Sequence, residues 1–239
     1  SDLKVLEYDE APGLRPGMKT VGRRLNTFLG YVTNGLYENY TDVEESPTST
    51  LGNIAISPGD IKYVDQPDAN GNYDGRITSD DRVEIGDPWI PEIVYGFGPS
   101  MRWKNWDFSF FFQGQTNVSL IMENFEPFGE RSARGVLAWI ADDYWSPDYP
   151  NVNAKHPRLT RLTNNHNMQV STYWLRDASF LKLKNVELGY SYKKARFYIS
   201  GSNLLTISPF KHWDPEVGTG AGMQYPTQRI FNLGIQMSF

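Results

Sequence analysis

The sequence predicts an all-β fold of the membrane-spanning kind, a transmembrane antiparallel β-barrel. The last stretch of the chain, 229–239, places large apolar residues at every second position and small or polar residues between them. Two further pairs of alternating segments are each joined by a two-residue turn, and long loops separate the pairs. Aromatic residues make up 14% of the chain, a share that the aromatic belts of a barrel wall would explain.

The last stretch is the clearest single element. It is long enough for the roughly nine to eleven tilted residues that a strand needs to cross a bilayer, whereas strands of soluble domains usually have about five or six. Its alternate residues are Phe231, Leu233, Ile235, Met237 and Phe239. We expect these side chains to face lipid.

The same alternation predicts five long antiparallel strands. They are placed at 93–103, 106–115, 180–192, 195–206 and 227–239. Tight turns at 104–105 and 193–194 alternate with long loops at 9–92, 116–178 and 207–227. Membrane barrels have short periplasmic turns and long extracellular loops, so the tight turns are expected at the periplasmic end.

The predicted organisation has two parts. Residues 1–92 are expected to hold the end of a strand, near 3–8, followed by a long extracellular loop region, and 93–239 to hold the five spanning strands with two long extracellular loops. Five strands are too few to close a barrel, and an open sheet edge is not tolerated in lipid. We therefore expect the chain to be a carboxy-terminal piece of a longer protein whose remaining strands complete the barrel.

Composition and motifs argue against two classes of function. A net charge of −5 and a pI near 5.3 do not suit a nucleic-acid partner, because such proteins are normally basic. The three histidines, His156, His166 and His212, show no metal-ligand spacing, and no nucleophile elbow, phosphate-binding loop or catalytic carboxylate pair is present. The sequence predicts a protein that is not an enzyme.

An Asn/Asp/Gly-rich segment within the first loop region resembles a calcium-binding loop. Oxygen-bearing side chains recur at alternate positions, a glycine follows them, and a carboxylate comes later, as in such loops. The candidate ligands are Asp68, Asn70, Asn72, Asp74, the carbonyl of Arg76 and Asp81. We predict a structural Ca²⁺ site here, and the alternative is a polar turn held by Asx hydrogen bonds without an ion.

The long loops are also rich in aromatic residues beside Asp, Asn and Arg. Such a mixture can stack on sugar rings and bind hydroxyl groups, and it equally suits a protein–protein contact. The candidates for contact with substrate or with a covering partner are Trp139, Tyr144, Trp145, Tyr149, Tyr173, Trp174 and Trp213.

Several segments together carry a family resemblance. They are 28–32, Pro58 to Tyr63, the acidic loop with Asp80 to Arg82, Trp174 to Tyr190, and Ser200 to Thr206. With these segments, over nearly its whole length, the chain resembles the carboxy-terminal region of the SusC/RagA family of TonB-linked outer-membrane transporters.

The resemblance implies a 22-stranded barrel, a periplasmic plug outside this chain, and a location in the cell outer membrane. It further implies a SusD-like surface lipoprotein as a lid, and uptake of oligosaccharides or oligopeptides with energy from TonB, which would be reached through the missing amino-terminal part. The residues alone leave one alternative, a soluble or surface-attached all-β glycan-binding module.

Overall fold

A computed structural model describes residues 3–123 and 135–238 of the chain. The strands are β1 (Phe28–Gly30), β2 (Thr33–Leu36), β3 (Thr48–Ser49), β4 (Ile61–Tyr63), β5 (Arg76–Ile77), β6 (Val83–Ile85), β7 (Ile93–Phe97), β8 (Ser100–Trp103), β9 (Trp106–Thr116), β10 (Ser119–Ile121), β11 (Leu175–Asp177), β12 (Phe180–Tyr192), β13 (Ala195–Ile207) and β14 (Ile230–Met237). The helices are α1 (Tyr40–Glu45) and α2 (Ala138–Asp142), with short 3-10 turns at Pro16–Met18, Ser79–Asp81 and Pro215–Val217. None of the described helices has the length and apolar character needed to cross a membrane.

The long strands form one antiparallel sheet in the order β14-β13-β12-β9-β7, with β8 also paired to β9. All five predicted strands are present, but the last is shorter than predicted, Ile230–Met237 instead of 227–239. The first of them appears as β7 and β8, which keep the same register against β9 on both sides of Gly98 and Pro99. The carbonyl of Pro99 still accepts from the N–H of Phe110 at 3.4 Å, but proline has no backbone N–H to return the second bond of this pair, which separates β7 from β8.

Strand register separates the two faces of this sheet. One row across it joins Met101, Phe108, Leu188, Ile199 and Leu233, and the next joins Trp103, Trp106, Tyr190, Phe197 and Ile235. These rows form the apolar face, and its Leu233 side chain is 85% exposed. The alternate positions carry Asp107, Glu187, Gly189, Arg196, Ser200 and Asn232, which form the polar face. Phe231, Leu233, Ile235 and Met237 thus lie on one exposed face, as predicted. Contact of that face with lipid stays a prediction, and Phe239 lies outside the described residues.

A β-bulge at Lys184 interrupts the alternation in β12. The register of β12 against both of its neighbours shifts between Leu183 and Asn185. Past the bulge, Leu183 lies opposite Phe112 and Leu205, so the apolar face continues although the parity of the sequence has changed. An extra residue in a strand has this effect because the side-chain period is two.

The chain divides into two compact units. The sheet unit comprises 88–120 and 176–238, and the loop unit comprises 3–87 with the described residues of 121–175. The loop unit contains small two-stranded ladders, β1 with β6, β2 with β4 and β3 with β5. Its buried core includes Ile61 and Tyr63 of β4, Ile77 of β5, and Tyr37. The segment between β9 and β12, predicted as one long loop, thus packs largely with the first 87 residues. The division at residue 92 stays a prediction about the whole protein.

The amino-terminal segment differs from expectation. Residues 3–8, predicted as the end of a strand, contain one isolated bridge from Lys4 to Arg24 instead of a ladder. Backbone hydrogen bonds from Val5 to Arg23 and from Leu25 to Leu3 hold this segment in the loop unit. Pairing involves only residues 3–5. Such a short segment has too little alternation for its sequence to distinguish a strand in a ladder from an isolated bridge.

Candidate functional site

A buried carboxylate, Asp60, organises the loop unit. Its oxygens accept hydrogen bonds from Arg158 Nε at 2.7 Å and Nη2 at 3.0 Å, and from the Nδ2 atoms of Asn164 and Asn167, both at 2.9 Å. The Asp60 side chain is 1% exposed, whereas that of Arg158 is 21% exposed. Asp60 therefore connects the segment around β4 to the segment before Trp174, which are far apart in sequence.

Two of the three histidines belong to the same interior. His166 lies between the carbonyl of Ile61, 2.7 Å from Nε2, and Ser49 Oγ, 3.1 Å from Nδ1. Burial lowers the pKa of His166, and burial lowers the pKa of His156 to about 4. Both rings are therefore neutral at pH 7 and act in packing.

The candidate calcium loop is held by hydrogen bonds and by an arginine. The carboxylate of Asp68 accepts from the backbone N–H groups of Asn70 at 2.8 Å and Asn72 at 2.9 Å, and these bonds lower the pKa of Asp68. Arg15 binds Asp74 Oδ2 at 2.5 Å through Nη2 and Asp81 Oδ1 at 2.7 Å through Nη1.

These contacts place the predicted ligands in two groups. Asp68, Asn70 and Asn72 share one Asx-type turn, and Asp74 and Asp81 share the Arg15 guanidinium. Arg76 begins β5, and its N–H donates to Asp74 Oδ1 at 2.9 Å. Among residues 3–123 and 135–238, no three His, Asp or Glu side chains gather as metal ligands.

An ion bound by all six residues would have to compete with Arg15, which already pairs with the buried Asp81 and with the half-exposed Asp74. The donor set as arranged does not fit a Ca²⁺ ion without that displacement. Calcium binding by this loop stays a prediction. Its test is calcium binding by the intact protein compared with the Asp74→Ala, Asp81→Ala double variant, and equal binding by the two would leave the hydrogen-bonded turn.

The predicted contact aromatics have different surroundings. Trp174 and Trp145 are buried, at 2% and 7% exposure, and Trp174 Nε1 donates to the carbonyl of Asn167 at 2.7 Å. Tyr149 is 73% exposed. The hydroxyl of Tyr173 donates to the carbonyl of Ala154 at 2.7 Å. Trp145 and Trp174 therefore pack inside the loop unit.

The remaining candidates are half-exposed. Trp139 and Tyr144 lie at the surface of the loop unit, while Trp213, in the sheet unit, stacks edge-on against Phe210 with ring centroids 4.7 Å apart. Contact with substrate or a partner stays a prediction for all seven residues, including Trp145, Tyr173 and Trp174.

A groove of about 540 Å³ in the loop unit brings together two of the seven candidates, Tyr144 and Trp145. Its lining is mainly apolar and includes Tyr40, Pro58, Tyr144, Trp145, Pro147 and Pro150. Tyr40, 67% exposed, is a groove residue that sequence reasoning missed. No local signal marks it, because it begins α1 and meets the Tyr144 segment only through tertiary packing.

A second buried charge lies in the sheet unit. Lys182, on the polar face of β12, is 1% exposed, and its Nζ contacts Asp214 Oδ1 at 2.6 Å and Glu216 Oε2 at 2.5 Å. Lys184 Nζ adds a contact with Glu216 Oε1 at 2.6 Å. These ion pairs fasten the loop after β13 to the sheet.

Comparisons with known proteins agree on one class. The chain is 28% identical over 261 residues to TonB-dependent receptor P3 of Formosa agariphila, covering 98% of this chain and 24% of that protein. It is 27% identical over 223 residues to TonB-dependent receptor SusC of Bacteroides thetaiotaomicron, covering 88% and 20%. The RagAB peptide importer in its open-open state matches in fold with a TM-score of 0.65 and 22% identity, covering 92% of this chain and 23% of that one. No family model matches.

These matches place the similarity of the chain in one class, that of TonB-dependent receptors. Within it the chain is SusC/RagA-like, which confirms the resemblance predicted from the sequence. The chain spans about a quarter or less of the length of the relatives it matches. These relatives are receptors and importers rather than enzymes.

Proposed function

We propose that this chain forms part of the wall and the extracellular loops of a TonB-dependent importer in the bacterial outer membrane. The observation that carries the proposal is the separation of the two faces of the long sheet. Rows of large apolar side chains cover one face, and charged, polar and small residues cover the other. A membrane barrel needs this division, because lipid surrounds its outside and water or a plug fills its inside.

The two edges of the sheet support the same proposal. Within the described residues β14 has one partner, β13, and β7 and β8 pair with β9 alone. An unpaired edge inside a bilayer would leave backbone N–H and C=O groups without partners at a cost of several kcal/mol each. The rest of the same barrel supplies the missing strands in this proposal.

Spin labels on neighbouring residues of β14 in the full-length protein test the proposal. In lipid vesicles, a label at Leu233 is expected to be accessible to oxygen and shielded from a water-soluble nickel reagent. A label at Asn232, one residue away on the polar face, is the matched control and is expected to be much less accessible to oxygen. Equal access of the nickel reagent to both labels would refute the membrane location.

The loop unit is proposed as the surface that meets the substrate and a SusD-like surface lipoprotein. Support comes from the aromatic and proline-lined groove, since exposed Tyr side chains provide large contact areas at low entropic cost. The RagAB relative is described as a peptide importer. Oligopeptides and oligosaccharides are the proposed substrate classes, and energy would arrive from TonB through a part of the protein outside this chain.

Tyrosine substitutions test the role of the groove. Tyr40→Ala and Tyr144→Ala, both in the groove lining, are together expected to weaken lipoprotein binding or substrate uptake by the full-length protein about tenfold or more, because truncating a contact hot spot costs about 1–2 kcal/mol or more. Tyr73→Ala is the control, since Tyr73 has the same 67% exposure as Tyr40 but lies on the Asn/Asp/Gly-rich loop. Equal lipoprotein binding and substrate uptake by the wild-type protein, the double variant and Tyr73→Ala would contradict the role proposed for the groove.

A further inference from the structure

The two tight turns of the sheet unit form a cationic rim at one end of the apolar face. Lys104 follows β8, and Lys193 and Lys194 lie between β12 and β13. The turns are neighbours, because Trp106 is paired with Tyr190 and the N–H of Ser191 donates to the carbonyl of Asn105 at 2.8 Å. We call Lys104, Lys193 and Lys194 the basic rim.

Aromatic rings of the apolar face lie directly beside the basic rim. Lys104 Nζ is 4.9 Å from the centroid of the Trp103 ring, and Lys193 Nζ is 5.4 Å from that of Tyr192. Trp103 is 69% exposed and Tyr192 54% exposed. Each turn therefore presents an ammonium group next to an exposed aromatic ring, an arrangement of the kind found where a membrane surface changes from apolar to polar.

The charge at this end of the sheet is unbalanced. The segments 102–107 and 190–197 contain five basic residues and one acidic residue, Asp107. Arg196 binds Asp107 on the polar face through Nε at 3.0 Å. In the described part of the chain, no carboxylate lies within ion-pair distance of Lys104, Lys193 or Lys194. The basic rim thus offers three ammonium groups beside the apolar face.

We propose that the basic rim binds the phosphate of an anionic phospholipid headgroup, while the neighbouring rings pack at the boundary between headgroup and acyl chains. This inference rests on the proposed function, since it requires the apolar face to contact lipid. Phospholipid is the assigned occupant because tight turns lie at the periplasmic end of membrane barrels, and the opposite charges of phosphate and ammonium groups provide the attraction.

The backbone conformation of the two turns decides which residues can replace the rim lysines. Lys104 and Lys193 have positive φ, at 53° and 52°, a region in which asparagine is well tolerated. Lys104→Asn, Lys193→Asn and Lys194→Gln therefore remove the charges without introducing a residue that the turns disfavour. Lys211→Asn is the matched control for Lys193→Asn, because it removes one charge from the sheet unit in the long loop after β13.

The experiment measures lipid retention by the full-length protein in detergent, using native mass spectrometry with phosphatidylglycerol and phosphatidylcholine of equal chain length. The wild-type protein is expected to prefer phosphatidylglycerol. Each rim substitution should reduce that preference about fivefold, which corresponds to about 1 kcal/mol per lysine near a charged membrane surface. The triple variant should bind the two lipids alike, and Lys211→Asn should bind as wild type.

Two results would overturn the proposal. The first is an unchanged preference for phosphatidylglycerol in the triple variant, with folding verified by the heat-dependent gel mobility of the barrel. The second is retention of lipid A by the same three lysines in place of phosphatidylglycerol, which would assign the rim to the other leaflet. If the spin label at Leu233 reports lipid in either case, only the headgroup site fails and the membrane location stands.

Discussion

Substitution of Asp60 tests how the loop unit is held together. In Asp60→Asn the side chain keeps its size, but the negative charge that binds Arg158 is lost, and an amide NH2 group replaces one of the two oxygens that accept from Arg158, Asn164 and Asn167. Removing one partner of a fully buried ion pair costs about 3–5 kcal/mol. Because the Arg158 side chain is 21% exposed and gains back some hydration, we expect about 2–3 kcal/mol.

Hydrogen exchange of the full-length protein measures this loss. The amides of Ile61, which donates to Asn167 Oδ1, and of Tyr37, which donates to the carbonyl of Asp60, should exchange roughly 30- to 150-fold faster, since 1.36 kcal/mol corresponds to a factor of ten. Amides of the β12–β13 ladder should be unchanged. Asp142→Asn, an exposed carboxylate in the same unit, is the control. If Ile61 and Tyr37 exchange alike in both variants, the central role assigned to Asp60 is wrong.

Two further changes are predicted. Gly59 and Gly71 have φ values of +85° and +86°, but an added Cβ would lie 2.2 Å from the Trp145 ring at Gly59 and would meet nothing within 4 Å at Gly71. Gly59→Ala should therefore lower the free energy of unfolding of the loop unit by about 1–3 kcal/mol more than Gly71→Ala. Equal melting temperatures of the two variants would contradict the contact with Trp145. Burial raises the pKa of Asp214, but hydrogen bonds from Lys182, Thr227 and the Glu216 backbone, together with the charge of Lys182, outweigh burial and keep that pKa below its usual 3.8. The ion pair therefore stabilises the loop above about pH 3.8, and the stabilisation is lost as the pH falls through the lowered pKa. Amide hydrogen exchange in 208–229 should accelerate as the pH falls through that range, and at pH 7 it should be faster in Lys182→Met than in the wild-type protein. If Lys182→Met leaves the exchange of these amides unchanged, the ion pair does not hold the loop to the sheet.

The sequence predicted the sheet well because side chains alternate along a strand with a period of two, and this alternation does not depend on which strands lie beside it. The apolar positions of β14 and the turns at Lys104 and Lys193 follow from local pattern alone. The bulge at Lys184 does not, because the extra residue is defined by the register of two neighbouring strands. In the candidate site, the spacing of polar oxygens predicted a metal site, which stays a prediction, but it did not show that Arg15 contacts Asp74 and Asp81.

The sequence by itself thus determined the all-β class, the strand positions, the two faces of the sheet and the family resemblance. Only the tertiary structure decided which aromatic residues are exposed, that Asp60 binds Arg158, and that most of the segment between β9 and β12 belongs with the first 87 residues. The physical reason is the range of the interactions. Strand alternation and turns depend on residues next to one another in the chain, whereas the loop unit is held by hydrogen bonds and packing between residues about a hundred positions apart, which have no local pattern.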